Sequence, residues 1–165
     1  ELEEARKRLE RAIEIDAHNF EPNHPTLAIR YSNLAMILQE QDELEEARKR
    51  LEWAIEIDER NFEPNHPTLA TNYSNLATIL HDQGELEEAR KRLERAIEID
   101  AHNFEPNHPS FGIRYNNLAY IELEKRNKKK ACELFRHSYE ILTHNFSQEH
   151  PKVQSVERAI KNNCE

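Results

Sequence analysis

Glycine is nearly missing from this 165-residue chain, which contains only Gly84 and Gly112. A phosphate-cradling loop needs several closely spaced glycines so that backbone amides can approach the ligand, and Rossmann and P-loop readings are therefore excluded. Valine is as scarce, with Val153 and Val156 alone, while Glu, Lys, Arg, Ala and Leu abound, so an extensive sheet is excluded and the expected class is all-α. No apolar run approaches the roughly 18 residues of a membrane span, and no charged-then-apolar leader opens the chain, so a soluble protein with no membrane partner is expected. The two cysteines, Cys132 and Cys164, stand too far apart in sequence to suggest a disulfide framework or a zinc site. That spacing predicts a reducing, cytoplasmic setting. The 32 acidic and 23 basic residues leave a formal charge of −9, which repels phosphates and argues against a nucleic-acid partner.

What the chain has in abundance is itself. Ala5, Ala47, Ala89 and Ala131 recur at a period of 42, as do Phe20, Phe62, Phe104 and Phe146. The pairs His24-Pro25, His66-Pro67, His108-Pro109 and His150-Pro151 keep the same period. Residues 1–42 match 43–84 at 33 of 42 positions, and residues 1–25 are identical to 85–109. Identity that extends to exposed charges is not forced by packing and implies recent duplication or deliberate assembly from a consensus. A period of this size signals a solenoid, in which each unit buries its apolar stripe against its neighbours.

Within a unit, Leu44, Ala47, Leu51, Ala54, Ile55 and Ile57 fall on one helical face. Acids precede bases on that helix, with Glu45 and Lys49, and Glu46 and Arg50, in the favourable i,i+4 order. The NFEPNHPT segment then reads as a loop whose second proline suits the first turn of a new helix. From Thr68 the spacing of Leu69, Tyr73, Leu76, Ala77 and Leu80 predicts a shorter helix ending near Gln83-Gly84. Each unit is thus a helical hairpin. The expected array is a lone second helix over 1–18, complete hairpins over 26–60, 68–102 and 110–144, and a capping helix over 151–162.

Tyr31, Leu34, Ala35, Leu38, Ala47, Leu51 and Ala54 meet the tetratricopeptide pattern of large, Leu, small and large residues, then Ala, large and Ala. The HPTLAIRYSNLA and HPSFGIRYNNLA runs resemble the HP-x-x-A-x-x-x-N-N-L-A run of the 42-residue variant found in kinesin light chains and bacterial relatives. Ala17, Glu59 and Ala101 stand where a proline is usual, and Glu122 where a large apolar residue is usual. The resemblance implies a right-handed α-solenoid of antiparallel helix hairpins whose first helices line a concave groove. By that resemblance Ile29, Ser32, Asn33, Met36 and Gln39 come from the first hairpin. Thr71, Ser74, Asn75, Thr78 and His81 come from the second, and Ile113, Asn116, Asn117 and Tyr120 from the third. Between the first two complete units most differences fall in these first helices, as a recognition surface requires.

The resemblance also makes Asn33, Asn75 and Asn117 a ladder for peptide binding. A carboxamide pairs with both the N–H and the C=O of an extended ligand. The alternative is that these amides brace neighbouring helices. Only Arg30 and Arg114 offer positive charge to the groove, and the lysines of a clamp for acidic chain ends are absent at Ser32 and Met36. An acidic C-terminal ligand is not expected.

His18 with His24, His102 with His108 and His144 with His150 are spaced alike, but Arg60 breaks the series, and they read as turn residues before proline rather than metal ligands. No metal and no cofactor are expected. Cys132 and His137 lie five apart on a helix, about 500° of rotation, which does not set a nucleophile beside its base. Lys125, Arg126, Lys128, Lys129 and Lys130 read as a solvated hairpin turn. Trp53, at a site held elsewhere by Arg11, Arg95 and His137, is either an added contact on the outer face or a tolerated exposed aromatic. Two function classes remain, and neither is enzymatic. One is a scaffold binding a protein or peptide in the groove. The other is a homo-oligomer stacking head to tail through Leu2, Ala5, Leu9, Ala12 and Ile13, which lack a covering first helix.

Overall fold

The computed structural model describes residues 1–164, which form eight helices: α1 (Leu2–Asn19), α2 (Pro25–Glu40), α3 (Leu44–Asn61), α4 (Pro67–Asp82), α5 (Leu86–Asn103), α6 (Pro109–Glu124), α7 (Lys128–Asn145) and α8 (Pro151–Cys164). No strand occurs among the described residues. The first helices α2, α4 and α6 pack on the second helices α3, α5 and α7 as hairpins, and each second helix also packs on the first helix that follows it.

The repeated Phe…His-Pro signature is a device for starting helices. The Nδ1 atoms of His24, His66 and His108 accept the amides of Thr26, Thr68 and Ser110 at 3.2, 3.2 and 3.3 Å. Those amides would otherwise be orphans of the first turn. The proline that follows has no N–H to orphan. Each ring is held by stacking on Phe20, Phe62 or Phe104 at 4.1, 4.1 and 4.0 Å, and His150 repeats the arrangement with Phe146 and the Lys152 amide. The loop is also tied across units. Asn61, Asn103 and Asn145 each donate to a carbonyl of their own helix and to that of Asn23, Asn65 or Asn107 in the preceding loop.

Within the hairpins, Leu51, Leu93 and Phe135 are completely buried, and Ala47, Ala54, Ala89, Ala96 and Ala131 let the helices approach. Each large side chain so buried contributes about 1.5–3 kcal/mol. Gly112, where the other units carry alanine, brings α6 closer to α7: a Cβ there would lie 2.8 Å from the Leu142 side chain. The hairpin turns pass through left-handed residues, Asp42, Gly84 and Arg126, of which only glycine adopts φ near +80° without strain.

The joints between second and following first helices carry a polar pair 14 residues apart in sequence. Asp16 accepts from Arg30 at 3.1 Å near the surface, and Asp100 is buried against Arg114, which donates two bonds at 2.7 and 3.1 Å. In the middle joint the cation is absent. Asp58, 2% exposed, accepts from Asn72 at 2.7 Å, and Asn72 in turn accepts from Ser32. The fourth joint closes on Leu142 and Val156.

One expectation is overturned. Cys132 and Cys164 form a disulfide with a Cα–Cα distance of 5.6 Å. α7 and α8 run antiparallel, so the start of one meets the end of the other, and 32 residues of separation close into a short spatial gap. The separation of the cysteines in sequence therefore carries no argument for a reducing compartment, and Cys132 is no free thiol.

Candidate functional site: the face of the first helices

Direct contacts of α2 with α4 and of α4 with α6 align the first helices side by side. On this face Asn33 and Thr71 are exposed, and Met36, Asn75, Thr78, His81, Ile113, Asn116, Asn117 and Tyr120 are half-buried. Among the described residues, no hydrogen bond engages the side-chain carboxamide of Asn33, Asn75 or Asn117. Asn75 takes part only through its carbonyl, which accepts from Thr78 Oγ1 at 2.7 Å.

Two small clefts interrupt the face. Thr78, His81, Asn117 and Tyr120 surround one of about 80 Å³ between α4 and α6, floored by Leu93 and Ile121. Tyr120 is fixed there by an edge contact with Phe135 at 5.0 Å. Ile113 and Asn116 border a second cleft of about 100 Å³ with Lys152 and Ser155 from α8. The Oδ1 atom of Asn116 is buried without a hydrogen-bond partner among the described residues. α8, expected only as a cap, brings Lys152 and Ser155 to this border, two residues outside the expected groove set. The signal was available, because Ser155 falls one period after Ile113 and two after Thr71.

Several expected groove residues are engaged elsewhere. Ser74 is buried, 6% exposed, and is not available to a ligand. Ser32 Oγ is committed to Asn72 at 3.0 Å, and Gln39 to Asp82 at 2.6 Å. Arg114 is 7% exposed and neutralised by Asp100, so it supplies no charge to the groove; Arg30 is half-exposed and paired with Asp16. Ser74 and Arg114 miss the surface because each first helix is gripped on both flanks, so a stripe that looks polar in sequence partly faces the adjoining unit.

The rim toward the hairpin turns is acidic. Glu40, Asp82 and Glu124 recur at one register, and His81 Nε2 lies 2.8 Å from Glu124. Glu122, in the place of an apolar residue, is 1% exposed. Burial pushes its carboxyl up, but bonds from Lys130 and Asn127 and the charges of Lys130 and Lys125 outweigh that and hold it below the usual carboxylate range. The basic run is therefore partly internal: Lys130 serves Glu122, and Lys125 lies 2.5 Å from Glu87. Trp53 is half-exposed, edge-on to Tyr31 at 5.4 Å and flanked by Lys49 and Arg50. No group of three or more His, Cys, Asp or Glu residues converges among the described residues, and no helix is long and apolar enough to cross a membrane.

The family model described as tetratricopeptide repeat matches residues 1–60, 31–101 and 68–144. No curated protein matches the chain. Among solved structures, it is similar to a Podosopora anserina protein assigned to the kinesin light chains and described as having nearly identical TPR-like repeats. That structure has a TM-score of 0.80 and 25% identity, over 99% of this chain and 79% of that one. A point variant of the same protein gives a TM-score of 0.81 at 24% identity over the same shares. BtubC (BKLC) from P. vanneervenii aligns with a TM-score of 0.77 and 22% identity, over 96% of this chain and 64% of that one.

Proposed function

Because the chain belongs to the tetratricopeptide repeat family, whose repeats generally mediate protein–protein interaction, we propose that its first-helix face binds an extended peptide segment of a partner protein. The observation that carries this reading is the ladder of Asn33, Asn75 and Asn117. These carboxamides recur at the unit spacing, reach the surface and have no internal partner among the described residues, so they are not needed to brace the helices. Each rung offers one donor and one acceptor to a peptide unit. The clefts beside Tyr120 and Asn116 receive ligand side chains, and the rim of Glu40, Asp82 and Glu124 favours basic residues flanking them. The proposal assigns the chain no catalysis.

The test is selection of binders from a random peptide display library, followed by calorimetry on the peptides recovered. Asn75→Ala is expected to weaken a selected peptide about tenfold, with the fold unchanged by circular dichroism. Equal affinity for the wild type and for an Asn33, Asn75, Asn117 triple alanine variant would refute the ladder.

A second reading, association through α1, is favoured by one observation. α1 has no buried residue, whereas the counterparts of Ala5, Leu9 and Ala12, namely Ala47, Leu51 and Ala54, are 0% exposed. Leu2 and Ile15 remain exposed at 41% and 48%. The head-to-tail form has weaker support. α8 presents exposed Gln154, Glu157 and Lys161 at the registers where α2 has Ala28, Tyr31 and Ala35. Sedimentation velocity over a hundredfold concentration range, with Leu9→Glu as control, decides this reading. The cytoplasmic location goes with the peptide-binding reading, and the disulfide counts against it, since reducing compartments keep such thiols reduced. Thiol alkylation in intact cells settles the point.

A further inference from the structure

The three loops are copies of one another, and α3 and α5 beside the first two are nearly identical, whereas α7 beside the third has diverged and completes its loop differently. In the second hairpin, Arg95 of α5 lays its guanidinium over the preceding loop. It donates to the Pro64 carbonyl at 3.0 Å, to Asn65 Oδ1 at 3.3 Å and to Glu98 at 3.1 Å. In the first hairpin the same loop asparagine, Asn23, receives a guanidinium from Arg60 at 2.8 Å.

The third hairpin retains the acceptors and lacks the guanidinium. Pro106, Asn107 and Glu140 stand at the registers of Pro64, Asn65 and Glu98. The loop is held in the same way, by Asn145 donating to the Asn107 carbonyl at 2.7 Å, as Asn103 does to Asn65. Position 137, however, is histidine instead of arginine, and its ring stacks on Tyr115 at 4.6 Å rather than reaching the loop. Position 144, the counterpart of Arg60, is also histidine. Beside His137 lies an open cleft of about 640 Å³, walled by Tyr115, Phe111, Pro106 and Glu105 and by the last turn of α5 at Ala101 and His102. A helix C-terminus and a carboxylate both favour a cation. Aromatic walls suit the flat, weakly hydrated face of a guanidinium better than an ammonium.

We propose that this cleft binds an arginine side chain of a partner polypeptide, which takes the place that Arg95 fills from within in the second hairpin. The site shares no residue with the first-helix face and does not depend on the peptide-binding reading of it. Entering beside the Tyr115–His137 stack, the guanidinium donates to the Pro106 carbonyl and pairs with Glu105 in the cleft. From there it reaches Asn107 Oδ1 and Glu140, which lie outside the cleft lining at the registers of Arg95's partners Asn65 and Glu98.

The experiment is an NMR titration of the isotopically labelled chain with N-acetyl-arginine methylamide, and with N-acetyl-lysine methylamide as the comparison. The arginine probe is expected to shift the resonances of Tyr115, His137 and the Asn107 side-chain amide to saturation, with the lysine probe at least fivefold weaker. His137→Arg supplies the guanidinium internally and is expected to abolish the shifts. Glu140→Gln, an exposed change on α7 that does not threaten folding, is expected to weaken binding about tenfold. Equal response to the two probes overturns the proposal, as does an undiminished titration in either variant, or shifts confined to residues outside the cleft.

Discussion

The middle joint holds a buried carboxylate without the arginine that pairs with its counterparts, and its pH dependence is a direct test of this packing. Desolvation raises the Asp58 carboxyl from its ordinary 3.8 to about 6, against the opposing influence of the His66 charge and the bond from Asn72. The folded chain therefore holds this proton more tightly than the unfolded chain does. Well below pH 3.8 both states are protonated and the group costs nothing. As pH rises toward 6 the unfolded state ionises first, so stability falls, and above about pH 6 the full cost is present. A difference of about two pKa units corresponds to about 3 kcal/mol. The perturbation is Asp58→Asn, which keeps an oxygen to accept from Asn72. Urea denaturation between pH 4 and 7.5, followed by the fluorescence of Trp53 on the same helix, reads the joint locally. The variant is expected to match the wild type within about 1 kcal/mol at pH 4 and to exceed it by up to about 3 kcal/mol at pH 7. Asn72→Arg, which reproduces the Asp100–Arg114 arrangement, is expected to remove the same slope by holding the carboxylate ionised. A difference between wild type and Asp58→Asn that stays constant within about 0.5 kcal/mol across this range would refute the reasoning.

Other consequences follow from the same packing. Leu93→Ala, at a fully buried position, is expected to cost about 2–5 kcal/mol in chemical denaturation, and Leu9→Ala, at its half-exposed counterpart on α1, less than about 1.5 kcal/mol. Lys130→Met strands the buried Glu122 carboxylate and is expected to cost about 3–5 kcal/mol at neutral pH. Adding Glu122→Leu, the residue of the other hairpins at that register, should restore most of the loss. Because the folded carboxyl of Glu122 is depressed, its contribution in the wild type is present above pH 4.5 and is lost as pH falls through the folded value, as an acid titration of stability would show. Arg126→Gly, at a left-handed position where the second unit already has Gly84, is expected to stabilise by about 0.5–1 kcal/mol in thermal melts. Reduction of Cys132–Cys164 is expected to lower stability by about 2–4 kcal/mol, with hydrogen exchange rising first in α8.

By itself, the amino-acid order determined the period of 42, the alternation of shorter and longer helices and the apolar face of each. Those features follow from helix geometry, in which residues three and four apart share a face whatever lies beyond. The His-Pro starts and the recurrence of Asn33, Asn75 and Asn117 at one helical register belong to that local level too, because a repeated residue keeps its place when its helix is repeated. Only the tertiary structure decided what depends on how helices cross. Ser74 reads as a surface residue yet is buried, because the neighbouring unit covers that flank. Asp58 meets Asn72 and Asp100 meets Arg114 across joints of 14 residues, while Cys132 meets Cys164 across 32, separations that no helical period brings together. The open cleft beside His137 is of the same kind. Its meaning comes from a comparison of side-chain reach, with an arginine long enough to span from helix to loop in one hairpin and an imidazole that falls short in the next.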